Sequence, residues 1–382
     1  MSNMPTMPEK KKILITHPWF LPAYKAGGPI QSLANICRNL KNDYSFYIIC
    51  SNKDHLEDHP LTSIVPDEWN DFENGTAHVF YLSGSNSKIR KIKDLVKTVQ
   101  PDFIFINGLY SPLYTIAALY SKNGKKILSP RGMLHPGALS QKSYKKRIYL
   151  AFLKMIGVKK KVVFHATDQQ EKDYINTVFG MDAKVSIAQN FPNQLKPNSN
   201  ILNTNGVLKM VSIALISPMK NHAIVLEGLK AISSQIEYDI YGPVKDAVYW
   251  EKCVQIMSEL PANIKVTYKG SIEPAHVTQV LTKYHYLVQP SKSENFGHSL
   301  YEALSCGLPI ITSHFTPWNR LEENKAGWNV DILNPDSMTD VLKKAVLVNR
   351  NDYAEWSRSA KQFAKNQVDF EKIKKQYKSL FH

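Results

Sequence analysis

Short apolar runs alternate with stretches of helical spacing along nearly the whole chain. KKILITH, SFYIICS, AHVFYL, DFIFING, KKILSPRG and KVVFHAT are short, evenly apolar segments that read as buried strands. Several are followed by periodic segments such as PIQSLANICRNLK, which predict helices. A polar stretch dominated by Pro, Asn and Ser, PNQLKPNSNILNTNG (192–206), then interrupts the pattern and reads as a linker. The alternation restarts with LKMVSIALIS, YDIYGP, KVTYKGSI and YLVQPS, with helices expected from about 221, near 246–259 and near 274–283. Two consecutive series of this kind predict an α/β fold of two doubly wound domains facing each other across a cleft. The last segment, NDYAEWSRSAKQFAKNQVDFEKIKKQYKSLF, has helical spacing and no strand.

Composition narrows the class. At 382 residues the chain is long enough for two ordinary domains, and 43% hydrophobic with 21% charged residues is that of a globular protein. No apolar run reaches the roughly 18 residues that a membrane span needs. The start, MSNMPTMPEKKK, is polar and precedes only a short apolar run, so neither a signal peptide nor an anchor is expected. Cys37, Cys50, Cys253 and Cys306 lie far apart without metal-ligand spacing, which fits free thiols in a reducing cytoplasm. The formal charge of +15 favours acidic partners. Much of it is local: Lys142, Lys145, Lys146, Arg147, Lys154, Lys159, Lys160 and Lys161 fall in SQKSYKKRIYLAFLKMIGVKKKVVF. Tyr144, Tyr149, Leu150 and Phe152 are interspersed with these cations, a composition suited either to an anionic membrane surface or to a solvated helix face. No zinc-finger or RNP-type motif accompanies the charge, so nucleic acid is not an expected partner.

In open α/β sheets ligands sit at the carboxyl ends of strands, where loops lead into helix N-termini. Three such loops stand out. HPWFLPAYKAGGPIQS carries Gly27 and Gly28 just before a helix, where backbone can approach a ligand closely. It is not GxGxxG, so a dinucleotide fingerprint is absent. ISPMKN puts Lys220 at a helix start, an unfavourable place for a cation unless an anion lies there. The third, PSKSENFGHSLYEALSCGLPIITS (290–313), places Glu294 on a loop leaving a strand and Glu302 in the early turns of a helix closed by Gly307.

That third stretch resembles the signature of retaining glycosyltransferases of family 4. It has E-x7-E, Phe-Gly after the first glutamate, and EALSCGLPIITS where the family has EA-small-x-x-G-x-P-hydrophobic. The likeness extends to GGPIQSLANICRNL, SPRGMLHPGALSQKSYKKRIY, FHATDQQEKDYI, ISPMKN and YGP. Within the family it is similar to bacterial enzymes of surface-polysaccharide synthesis, chiefly through SPRGML. The resemblance implies the GT-B fold: an N-terminal Rossmann-like acceptor domain (1–195), a C-terminal Rossmann-like donor domain (206–365), and a final helix (366–382) crossing back to the first.

By the same resemblance, Glu302 binds the ribose hydroxyls of a nucleotide-sugar donor. A carboxylate suits a vicinal diol because it accepts two hydrogen bonds. Glu294 faces the donor sugar, and main-chain amides around Phe296, Gly297, His298, Ser299 and Leu300 serve the sugar and diphosphate, with Gly27 and Gly28 also at the donor. The plainer alternative has Glu294 capping the helix and Glu302 solvated. No D-x-D occurs anywhere, so no metal and no cofactor are expected, and the nucleotide-sugar is a substrate. Lys220 and helix dipoles are then left to stabilise the departing diphosphate.

Two departures from the family pattern stand beside these assignments. Position 215 is leucine where the family usually has an arginine five residues before Lys220. Arg131 supplies the missing charge in one reading and ties loops together in the other. The SPRG loop and Asn107 lack histidines frequent in the family, while His17, His135 and His165 have no assigned role. The implied function is metal-independent, retaining transfer of a sugar, expected to be uridine diphosphate-linked, to a lipid-linked or cell-surface glycan such as lipopolysaccharide or capsule. The implied location is cytoplasmic, peripheral on the inner face of the plasma membrane. The alternative is a catalytically weak glycan- or nucleotide-binding subunit, which the leucine at 215 favours.

Overall fold

The structure is a computed structural model that describes residues 9–84, 88–140, 143–193 and 206–382. Residues 1–8, Lys142 and nearly all of the expected linker lie outside the described residues. The chain divides into two compact units. The first comprises the residues up to Ala23, Ser32–Phe191 and Phe370–His382, and the second Tyr24–Gln31 and Pro192–Asp369.

Among the described residues the first unit holds eight strands: β1 (Lys11–Thr16), β2 (Tyr44–Ser51), β3 (Trp69–Phe72), β4 (Ala77–Leu82), β5 (Phe103–Asn107), β6 (Lys125–Ser129), β7 (Val162–Ala166) and β8 (Val185–Ile187). They form one sheet in the order β3-β4-β2-β1-β5-β6-β7-β8, parallel except where β3 meets β4. Strand order reverses direction between β1 and β5. The final helix, Phe370–Leu380, belongs to this unit, and Tyr377 and Phe381 are buried in it. It is separated from the Arg350–Gln367 helix by Val368, a β-branched residue in extended conformation, so the helical pattern of the tail is broken once.

The second unit holds β9 (Leu208–Ile213), β10 (Ile236–Tyr241), β11 (Ile264–Gly270), β12 (Tyr286–Gln289), β13 (Ile310–Ser313) and β14 (Gly327–Val330). All pair in parallel, in the order β11-β10-β9-β12-β13-β14. Here the order reverses between β9 and β12. Neighbouring residues on these strands feed opposite faces, as a period of two requires. Met210, Tyr286, Val288 and Ile311 pack into one core, and Val211, Leu287 and Ile310 into the other. Burial on both faces is why these strands are apolar runs rather than alternating ones. Both units are thus Rossmann-like doubly wound sheets. β3, β8 and β14 have no counterpart among the strands expected from the sequence.

One glycine fixes how β9 and β10 leave the second sheet. Gly242, with φ +141, lies so close to the neighbouring chain that a Cβ there would stand 1.8 Å from the Ala214 carbonyl oxygen. Only glycine lets the loop after β10 cross the loop after β9, which carries Lys220.

Candidate functional site

The reversal of strand order between β9 and β12 separates the loops that follow them and opens a crevice at their carboxyl ends. Lys220 comes from the first loop and Glu294 from the second. Their side chains meet there as an ion pair, with only 20% and 12% of their side-chain surfaces exposed. The anion that a lysine at this helix start calls for is therefore the Glu294 carboxylate. Glu294 Oε1 also accepts from Gln289 Nε2 at 2.8 Å and Ser291 Oγ at 2.9 Å. Ser299 Oγ donates to Gln289 Oε1 at 2.8 Å, which joins the first turn of the next helix to the same network. Gln289 ends β12 and its carbonyl accepts from Thr312 Oγ1 at 2.8 Å, so the network is anchored on the sheet itself.

The helix that follows, His298–Ser305, begins at Gly297 in the left-handed conformation (φ 74, ψ 69). A Cβ at Gly297 would stand 2.8 Å from Leu300 Cδ1. No side chain caps this helix and its first turn carries no acidic residue, so its N-terminal amides keep their partial positive charge. Glu294 is not the cap. Phe296 is wedged among the rings of His298, Tyr301 and Trp318, and its carbonyl accepts from Trp318 Nε1 at 2.6 Å. Leu300 is fully buried, so only its main chain can face a ligand. Gly27 and Gly28 belong to this unit: a Cβ would come within 3.9 Å of Leu215 at the first and 3.6 Å of His298 at the second.

Glu302 lies in the second turn of the same helix and is only 7% exposed, so it is not a solvated helix residue. Among the described residues, its Oε1 accepts from Asn193 Nδ2 at 3.3 Å. Burial disfavours the carboxylate form and pushes the pKa up to about 7, which the Asn193 hydrogen bond partly opposes. Beside Lys220, His222 is held neutral by burial and by the lysine's charge, with a pKa of about 4.

The first unit has its own cluster at the reversal between β1 and β5. His17 Nδ1 donates to the Asn107 carbonyl at 2.7 Å, and burial together with the Arg131 charge lowers its pKa to about 4. Arg131, in a left-handed turn (φ 55), reaches Asn107 Oδ1 at 2.6 Å and Asn190 Oδ1, and lies over the Phe105 ring. Its loop is tied down by Glu171, which accepts from the Gly132 amide at 2.6 Å and from Thr167 through both amide and hydroxyl at 2.8 Å. Within its unit, then, Arg131 ties loops together. His165 is a core residue: Ser129 Oγ and the Ala188 carbonyl satisfy its two nitrogens at 2.8 Å each, and burial lowers its pKa to about 3.

Gln289, Ser291, Asn193, Asn190 and Glu171 were not singled out by sequence. Gln289 and Ser291 were within sight, since a polar residue closing an apolar strand at a reversal point is a site signal. Among the described residues no three His, Cys, Asp or Glu side chains are grouped to hold a metal ion, and no helix is long and apolar enough to cross a membrane. The four cysteines are free and buried.

Solved structures share this architecture. Anabaena Alr3699/HepE, in complex with UDP and glucose, matches with a TM-score of 0.71 at 16% identity, over 97% of this chain and 99% of that one. Sucrose-phosphate synthase from Thermosynechococcus elongatus matches with a TM-score of 0.76 at 14% identity, over 97% and 98%. WaaG, a glycosyltransferase involved in lipopolysaccharide biosynthesis, matches with a TM-score of 0.67 at 13% identity, over 95% and 98%. No curated protein sequence matches. The fold these structures share with the chain is GT-B. Residues 197–363 match the family model described as Glycosyl transferases group 1.

Proposed function

We propose that the chain transfers a sugar, with retention of configuration, from a uridine diphosphate-linked donor held in the second unit to a lipid-linked or cell-surface glycan. The carrying observation is the arrangement around β12. Lys220 and Glu294 form a shielded pair, the uncapped His298–Ser305 helix follows directly, and Glu302 is buried one turn further on. A diphosphate at the helix N-terminus meets main-chain amides and the helix dipole. Lys220 exchanges its carboxylate partner for a phosphate oxygen and meets the charge that develops as the diphosphate leaves. Glu294, still held by Gln289 and Ser291, then presents its carboxylate to sugar hydroxyls. Glu302 accepts the two ribose hydroxyls, which replace the weak Asn193 contact with two charge-assisted hydrogen bonds. The leaving phosphate itself can take the acceptor's proton, so no side-chain base is required.

The donor reading agrees with the UDP and glucose bound by HepE, and the acceptor reading with the lipopolysaccharide role of WaaG. Arg131 serves the acceptor side by fixing the loop that carries it, and the site of action is the inner face of the plasma membrane. The experiment is hydrolysis and transfer measured over a panel of nucleotide-sugars. Consumption of one uridine diphosphate sugar supports the reading, and a chain that binds nucleotide but consumes none is the weak binding subunit.

A further inference from the structure

The Ser143–Met155 helix of the first unit packs through Leu150 and Leu153, which are buried, and through the half-buried Tyr149. Two of the apolar residues expected at a membrane, Tyr149 and Leu150, therefore face the core instead. A different set faces outward. Tyr144 is 76% exposed, Ile148 53%, Phe152 38% and Met155 77%. At i, i+4, i+8 and i+11 these four fall in one stripe along the helix. A helix of about 100° per residue places Lys145 on one side of that stripe and Arg147 and Lys154 on the other.

Large apolar side chains aligned on the outside of a helix, with cations on both flanks, form the pattern of a helix lying in a bilayer interface. Apolar groups enter the acyl boundary while lysine and arginine stems reach back to the headgroups. The segment's own charge has one sign: residues 143–161 include seven lysines and arginines and no aspartate or glutamate. Beyond Met155 a surface groove of about 600 Å³ is lined by Lys154, Met155, Lys159, Lys160 and Phe179. Lys159 is held there by Asp182 at 2.9 Å. The groove continues the stripe at its carboxyl end and sets two further lysines beside its apolar floor.

We propose that the outward stripe Tyr144–Ile148–Phe152–Met155, with Lys145, Arg147, Lys154 and the adjoining lysine-lined groove, is a docking surface for the anionic face of a lipid bilayer. Charge complementarity selects this occupant: a second copy of the chain would bring the same cations face to face. The inference rests on the reading of the acceptor as lipid-linked, which requires the enzyme at a membrane surface.

The test is co-sedimentation of the full chain with vesicles of phosphatidylcholine alone and with 30 mol% phosphatidylglycerol (about a third anionic lipid, to load the surface charge). The expected result is binding to the anionic vesicles only, lost as salt is raised. Reversing Lys145, Arg147 and Lys154 to Glu should lower partitioning by on the order of a hundredfold or more. Phe152→Ser with Ile148→Ser should lower it by roughly tenfold or more. Because all these side chains are exposed, circular dichroism and thermal melting should be unchanged. Nucleotide-sugar hydrolysis in vesicle-free solution should be unchanged too, which separates this proposal from the transferase reading. Equal sedimentation of the variants and the parent, equal binding to neutral vesicles, or loss of a concentration-dependent dimer in Phe152→Ser would each overturn it.

Discussion

Glu302→Gln separates the stability of the site from its function. In the free protein Glu302 is buried and its pKa stands near 7, against an ordinary value of 4.5. Between those two values the folded chain keeps a proton that the unfolded chain has released, so stability falls as pH rises through this window. Below about pH 4.5 both states are protonated, and above about 7 both are ionised, so the effect is complete at pH 8. With 1.36 kcal/mol per pKa unit, the ionised carboxylate is destabilising by about 3 kcal/mol at pH 8. Glutamine has the same shape, stays neutral and can still accept from Asn193 Nδ2. The variant should therefore match the parent near pH 4.5 and exceed it at pH 8 by up to about 3 kcal/mol, a rise in melting temperature of several degrees for a unit of this size. Uridine diphosphate should reverse the ranking. Loss of charge-assisted hydrogen bonds to the ribose should weaken nucleotide binding by about 1.5–3 kcal/mol. The assay is thermal melting of both proteins from pH 4.5 to 8, with and without nucleotide. Melting temperatures that run parallel across that range would refute the burial argument, and equal nucleotide stabilisation of the two would refute the ribose contact.

Lys220→Ala should lower turnover by on the order of a hundredfold or more, with a smaller change in donor KM, because the diphosphate charge grows in the transition state. Leu215→Arg in that background should not restore the rate fully, since a guanidinium five residues away meets different oxygens; steady-state kinetics decide both. Transfer should persist in excess chelator, because lysine and main-chain amides carry the charge; loss of activity that added Mg²⁺ or Mn²⁺ restores would overturn this. Gly242→Ala should destabilise the second unit by about 3 kcal/mol or more, as its Cβ would meet the Ala214 carbonyl at 1.8 Å, and denaturant unfolding will show it.

The parts of the fold legible in the sequence are those whose burial is two-sided. β1, β5, β9 and β12 lie in sheet interiors, so their apolar runs announce them. β3, β8 and β14 escape notice because they are edge strands of three or four residues; WNDF and VSI carry polar side chains where a neighbour is missing. The candidate site was legible as far as its elements: Lys220 and Glu294 lie on loops that follow strands, and Glu302 lies within the next helix. Their mutual arrangement was not. The Lys220–Glu294 pair spans 74 residues and Asn193 meets Glu302 across 109, distances that only the strand order resolves. The basic segment shows the other limit. Both Tyr149–Leu150–Leu153 and Tyr144–Ile148–Phe152–Met155 obey helical spacing, so periodicity alone does not say which set faces the core.

The central claim is that the β9–β12 crevice holds a uridine diphosphate sugar for transfer. The most direct measurement is NMR-monitored turnover of the parent and of Glu302→Ala on a panel of nucleotide-sugars, following the anomeric configuration of the released or transferred sugar. The account predicts that one uridine diphosphate sugar is consumed with its anomeric configuration retained, and that Glu302→Ala raises KM far more than it lowers kcat. Consumption of no donor, inversion at the anomeric carbon, or an unchanged KM in Glu302→Ala would contradict it.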